Sequence, residues 1–333
     1  MKKTKTVIVA SPGNSGAGAV HDYLLSRNDF LSPFFSQEFR FINDPQGLYS
    51  LYHNLYKNFN VNNAAFFFDE FKKYSYNLTK LNSSQLHDSG TLVKSRPRKI
   101  YAKSFLTNVE KFLENVTEVK YNALPQFKKI DLNIFEKLKF FIKLNIFRKS
   151  INDLKLFEMR IPKDEKFFVK EAKNLIRKIF SENINKKNKN IILNQCVTFW
   201  EPSETSIFFD NVKIILVTRD PRSIFASMKS RNSFAFPGKD VKIFVKWYKS
   251  IMTNFSTQIK HKNVLKLKFE NFVINFQSEK LKVCRFLDIK NNVDTDFNID
   301  YSKKNIYKAL KILDKKDLKY IEQNLTNFLQ WKI

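Results

Sequence analysis

Residues Val212–Thr218 (VKIILVT) form an almost unbroken apolar, β-branched run that ends three residues before Pro221, where a helix-like segment begins. A strand that is apolar on both faces has to be covered on both faces, which is the situation of a parallel sheet inside an α/β fold. Shorter runs repeat the pattern at Thr6–Ala10, 30–35, 191–193 and 264–269. Helix-like segments lie between them, over 19–27, 44–60, 223–231, 241–258 and from 277 onward. Strands alternating with helices predict a mostly parallel central sheet with helices packed against it.

One stretch breaks the alternation. Residues 105–190 contain no glycine and carry FLENV, FEKLKFFIKL and FVKEAKNLIRKIF, with apolar residues three and four apart. That spacing predicts a helical insertion, closed by the polar tract 183–190, between core segments 1–104 and 191–333.

Composition narrows the classes. A 43% hydrophobic content is enough to bury a core. The only two cysteines, Cys196 and Cys284, exclude a disulfide framework and any CxxC zinc site, and no metal-ligand spacing is visible. The net charge of +27 invites a nucleic-acid reading, but stretches 1–104, 105–190 and 191–333 carry +7, +9 and +11. An excess spread this evenly, without a zinc-finger, homeodomain or RNP signature, describes composition and not a dedicated nucleic-acid face. The one local concentration is Lys94, Arg96, Arg98, Lys99 and Lys103. The N-terminus begins with lysines, but the apolar run after them, Val7 to Ala10, is shorter than the roughly 7–15 residues of a secretion signal. No run reaches the roughly 18 residues of a transmembrane helix. The expectation is a soluble cytoplasmic protein.

Three of the six glycines, Gly13, Gly16 and Gly18, fall in the loop between the first strand and the first helix. Glycine serves where the backbone takes positive φ or approaches a ligand closely, and free N–H groups at a helix start form an anion cradle. A tight strand–helix turn without ligand would use the same residues. SPGNSGAG is neither a Walker A loop, which needs Lys and Ser/Thr after the last glycine, nor GxGxxG.

The second anchor is Thr218-Arg219-Asp220-Pro221-Arg222-Ser223-Ile224-Phe225-Ala226-Ser227. Arg219 stands at the carboxyl end of the best strand, where open α/β sheets bind ligands. Asp220 and Pro221 suit an N-cap and a first helical turn. Ser227 comes two helical turns later, so an arginine fork and a hydroxyl could grip one phosphate.

Taken together, the two anchors resemble those of the sulfotransferase superfamily, whose donor is 3′-phosphoadenosine 5′-phosphosulfate. VIVASPGNSGAGAVHDYL looks like its 5′-phosphosulfate loop and KIILVTRDPRSIFAS like its 3′-phosphate motif. FVKWYKS, NVLKLKFENF, LKVCRFLDI and YSKKNIYK resemble later family segments in the same order. The resemblance covers about the first 60 residues and 190–320, and is greatest to bacterial members that act on sugars or surface glycans.

The resemblance implies a P-loop-like three-layer α/β/α fold. The helical insertion at 105–190, which the resemblance does not cover, is expected on the acceptor side. The following roles are implied as well. Gly13, Asn14, Ser15, Gly16, Ala17, Gly18 and Ala19 would hold the 5′-phosphosulfate. Arg219 and Ser227 would bind the 3′-phosphate, and Lys303, Lys304 and Asn305 would close over the nucleotide. Many members carry Lys or Arg where Asn14 stands, so a charge must come from elsewhere, with Lys94, Arg40 and Arg222 as candidates. The acceptor would be a glycan or small hydroxyl compound, with no metal.

Sulfuryl transfer depends on positioning and charge stabilisation, helped by a base on the acceptor hydroxyl. Glu38, in SQEFRFI, resembles the base segment of protein-tyrosine sulfotransferases, and Arg40 could orient it. His21, one turn into the first helix, is the second candidate. A P-loop-like kinase and a noncatalytic nucleotide-binding relative are the alternative readings.

Overall fold

The structure is a computed structural model that describes residues 4–34, 37–80, 85–86, 92–93, 101, 104–146, 157–184, 189–231, 235–254, 261–293 and 295–331. The basic cluster at Lys94, Arg96, Arg98, Lys99 and Lys103 lies outside the described residues.

Along the chain the elements are β1 (Thr6–Ala10), α1 (Ala17–Leu25), β2 (Phe30–Leu31), α2 (Leu48–Tyr56), α3 (Val61–Lys80), β3 (Gln85–Leu86), β4 (Leu92–Val93), α4 (Phe105–Val116), β5 (Thr117–Ala123), α5 (Gln126–Asp131), α6 (Ile134–Phe141), β6 (Phe157–Pro162) and α7 (Glu165–Asn183). There follow β7 (Asn190–Asn194), α8 (Pro202–Thr205), β8 (Val212–Thr218), α9 (Pro221–Ser230), α10 (Val241–Asn254), β9 (Val264–Lys268), α11 (Phe269–Ile274), α12 (Phe276–Leu287), α13 (Ile299–Lys303), α14 (Lys308–Ile312) and α15 (Lys315–Asn324). No helix among the described residues is long and apolar enough to cross a membrane.

The chain divides into two compact units. The first comprises Met1–Arg40, Lys80–Ile100 and Phe180–Ile333. Its sheet has the order β2-β7-β1-β8-β9, every pairing parallel, as the apolar runs predict. Side-chain alternation along the strands fixes what covers it. Val7, Val9, Ile215 and Val217 join Val20, Tyr23 and Leu24 of α1 and Phe272, Val273, Val283 and Leu287 of α11 and α12 in one buried cluster. Ile8, Ile214 and Leu216 alternate with them and are equally buried. α9 packs Ile224, Phe225 and Met228 against Phe244 and Tyr248 of α10. The expected α/β class with a mostly parallel, helix-flanked sheet is the observed one.

The second unit comprises Phe41–Thr79 and Tyr101–Ile179. Its boundaries differ from the expected division: residues 41–79, core by the sequence reading, belong here. Phe41 is in ring contact with Phe71 and Phe105, and Phe71 with Phe112, which ties α3 to α4. Residues 105–190 are also not wholly helical, because β5 and β6 pair as antiparallel strands. Arg160 on β6 is buried and donates to Glu158, Thr117 Oγ1 and Glu114.

Candidate active site

Register brings the two anchors together. Val9 on the central strand pairs with Asn194 on one side and Ile215 on the other, and Ala10 pairs with Leu216. The residues that leave β1, β7 and β8 therefore emerge side by side at the carboxyl edge, where open parallel sheets bind ligands. They line a cleft of about 360 Å³ that includes Asn14, Gly18, Glu38, Arg219, Ser227 and Lys308.

Hydrogen bonds to its own neighbours hold the glycine loop open. Gln195 Oε1 accepts the Ser11 N–H at 3.0 Å and its Nε2 donates to Ser11 Oγ at 2.8 Å. Ser15 Oγ donates to the Gly13 carbonyl at 2.8 Å, so this buried hydroxyl shapes the loop from within. Gly13, Asn14 and Gly16 all have positive φ, at 93°, 51° and 80°. Gly16 is constrained twice, since a Cβ there would lie 2.2 Å from the ring of Phe269. Gly18 has nothing within 4 Å of such an atom. The helix α1 starts at Ala17, so the N–H groups of its first turn, which precede the i to i−4 ladder, adjoin the cleft.

The contrast makes a test. Gly16→Ala should destabilise the fold by about 2–4 kcal/mol through ring overlap and left-handed strain. Gly18→Ala, inside the helix and facing open space, should leave stability equal or raise it by up to about 1 kcal/mol. Urea unfolding of both variants checks this, and equal losses would contradict the assigned geometry.

Arg219 is the centre of the second anchor. Its Nη1 donates to the Asn14 carbonyl and to Ser227 Oγ, both at 3.1 Å, and its Nη2 to the Asn305 carbonyl at 2.5 Å. The guanidinium also stacks over Phe269 at 5.0 Å. Nε is buried without a hydrogen-bond partner among the described residues. Burial pulls the Arg219 pKa down to about 10, partly opposed by the charge of Glu270, so the group stays protonated at neutral pH. Glu270 is itself pushed up to about 7 by burial. Its Oε1 accepts the Asp220 N–H at 3.1 Å, so Glu270 braces the turn that carries Arg219. Asp220 caps α9 as expected, accepting the Arg222 N–H at 3.0 Å.

The other expected residues separate into those that reach the cleft and those that do not. Ala17, Gly18, Ala19, Ser227 and Asn305 line it, as does Glu38. Glu38 is half exposed and faces Arg40 at 3.5 Å, while Arg40 is not part of the lining. His21 is buried, with Nδ1 3.3 Å from Asp22, which lines the cleft, and Nε2 unpartnered among the described residues. Lys303 and Lys304 are both exposed. On the short helix α13 and just after it, Tyr301, Ser302 and Asn305 take the inner side, whereas Lys303 turns outward onto Asp300 at 2.7 Å.

By sequence, Lys94, Arg40 or Arg222 would replace the missing loop cation. Lys94 lies outside the described residues. Arg222 is locked in the core by Asp220, Glu322 and the Trp331 carbonyl, with its guanidinium 3.7 Å from the Trp331 ring centroid. Two other cations line the cleft, Arg231 and Lys308. Arg231 Nη1 donates to Asn14 Oδ1 at 3.3 Å, placing a positive charge on the residue where the loop lacks one. Burial, then the charges of Arg231 and Arg219, lower the Lys308 pKa. Arg231 is legible in principle, since it lies four residues after Ser227 on the same helix face. No three or more His, Cys, Asp or Glu side chains among the described residues are grouped to hold a metal.

A family model described as "Sulfotransferase family" matches residues 102–293, more than half of the chain. That match includes Arg219, Ser227 and Glu270 and leaves out the glycine loop. No curated protein matches. Among solved structures, the sulfotransferase domain from the curacin biosynthetic pathway is similar at 13% identity, with 98% of this chain and 99% of that one covered and a TM-score of 0.38. The sulfotransferase domain from the Synechococcus PCC 7002 olefin synthase is similar at 10% identity, with 100% and 98% covered and a TM-score of 0.39. A Mycobacterium tuberculosis H37Rv sulfotransferase has 8% identity, 91% and 76% coverage, and a TM-score of 0.37.

Proposed function

The chain belongs to the sulfotransferase family, and we propose that it transfers a sulfuryl group from 3′-phosphoadenosine 5′-phosphosulfate to an acceptor hydroxyl on a sugar or surface glycan. The observation that carries the donor assignment is Arg219, whose one guanidinium touches both the glycine loop at Asn14 and the helix hydroxyl of Ser227. Two anion-binding segments at one cleft suit a nucleotide phosphorylated at two ends.

The residues present fit such a donor. Arg219 keeps an unused buried N–H, the cleft is open above Gly18, and Arg231 and Lys308 add positive charge. When bound, the donor supplies the sulfuryl group and a phosphate leaving group. Arg219 and Ser227 would hold the 3′-phosphate, and the N–H groups of the loop and of the start of α1 would hold the 5′ end. Arg231 and Lys308, which line the cleft, would supply positive charge to offset that of the phosphate leaving group. Glu38 accepts the proton of the acceptor hydroxyl. The glycan acceptor rests on the resemblance of the loop and of ILNQCVTFW to sugar-modifying members.

Calorimetric titration tests the donor assignment. Adenosine 3′,5′-bisphosphate should bind more tightly than ADP, and equal or tighter ADP binding would remove the reading. Transfer of labelled sulfate across a panel of glycans and small alcohols then identifies the acceptor; transfer confined to small alcohols would replace the glycan.

A further inference from the structure

The helix α6 belongs to the second unit. It opens on a well-made cap: Asn133 Oδ1 accepts the Glu136 N–H and Glu136 Oε2 accepts the Asn133 N–H, both at 2.9 Å. A π-helical turn, Ile142–Ile146, continues it. A helix on a globular unit turns its apolar residues inward. Here Ile134 is 80% exposed, Phe135 82%, Leu138 52%, Phe141 59% and Ile146 65%. Helical phase gathers Ile134, Phe135, Leu138 and Phe141 on one arc, with Lys137 at one border and Lys139 at the other. Lys143 follows on the next turn, and Glu136 lies away from the apolar arc. An exposed apolar patch with a charged rim marks an interaction surface.

The geometry points to an anionic membrane surface as the partner of this face. α6 and its π-turn are too short to span a bilayer and suit the interface plane, with the aromatic and aliphatic side chains entering the acyl boundary and the lysines reaching the lipid phosphates. Charge complementarity selects this occupant. A second copy of a chain with net charge +27 would bring the lysine borders of two identical faces together, whereas an anionic leaflet attracts each of them.

Flotation of the full chain with vesicles of phosphatidylcholine, with and without phosphatidylserine, tests the inference. The protein should float only with the phosphatidylserine-containing vesicles, and less as salt rises. Replacing both aromatic residues (Phe135→Gln with Phe141→Gln) should weaken vesicle binding by at least about tenfold. Lys137→Gln and Lys139→Gln should each weaken it roughly fivefold. These side chains are exposed, and unchanged binding of adenosine 3′,5′-bisphosphate controls for folding. Attraction of the overall charge alone would survive the aromatic substitutions. Flotation that survives them, absence of flotation, or a wild-type dimer that the aromatic substitutions dissolve would each overturn the assignment.

Discussion

Glu38→Gln should lower turnover by about 10²–10⁴-fold, the usual contribution of a positioned general base, while the affinity for adenosine 3′,5′-bisphosphate stays unchanged. The amide keeps the shape of the carboxylate but cannot accept a proton. Glu38 lines the cleft, and the backbone beside it is fixed, because the Phe39 N–H donates to the Asn194 carbonyl at 3.2 Å. Its partner Arg40 is largely exposed, so the ion pair lost in the variant contributes at most about 1 kcal/mol to folding. A fall in turnover with intact nucleotide binding therefore reports chemistry and not unfolding. Single-turnover sulfate transfer measures it directly. Wild-type turnover in the variant would hand the base role to His21 or to water.

Arg219→Ala should weaken binding of adenosine 3′,5′-bisphosphate by roughly 10- to 150-fold, the loss expected for about 1.5–3 kcal/mol of charge-assisted hydrogen bonding. The variant also loses the bonds to Asn14, Ser227 and Asn305, so thermal unfolding should be measured beside binding. Arg219→Lys separates charge from geometry. A lysine keeps the positive charge but cannot reproduce a planar fork that reaches three chain segments at once. Affinity should therefore stay well below wild type in the lysine variant. Full recovery there would mean that charge alone matters, and an unchanged dissociation constant in the alanine variant would take Arg219 out of the site.

The parts of this arrangement that are legible in the sequence are those with local signals. The run Val212–Thr218, the cap at Asp220 and the glycines after Thr6–Ala10 each announce themselves within a few residues, and the sheet then has to bring their carboxyl ends together. The β5–β6 pairing is harder to read: Thr117–Ala123 does alternate Val119, Tyr121 and Ala123 with Glu118, Lys120 and Asn122, but most of it faces solvent and helix-spaced apolar residues flank it on both sides. Its strand state comes from pairing with residues about forty positions away. The grouping of residues 41–79 with 101–179 leaves no local signal for a similar reason, since the contacts of Phe41 and Phe71 with Phe105 and Phe112 leave no mark on local periodicity. Lys303 and Lys304 stand in a family-like segment, but helical phase turns Lys303 onto Asp300 instead. Arg222 looks available because the sequence does not show that Asp220, Glu322 and Trp331 already hold it.

Phe269 occupies the volume that any side chain at position 16 would need and also lies beneath the guanidinium of Arg219. These three positions, far apart in the chain, cannot drift independently: a larger residue at 16 calls for a smaller one at 269, which in turn removes the surface on which the arginine rests. Evolutionary change at this end of the molecule must proceed by coordinated replacement, whereas the exposed positions 118–122 of β5 can accumulate substitutions one at a time.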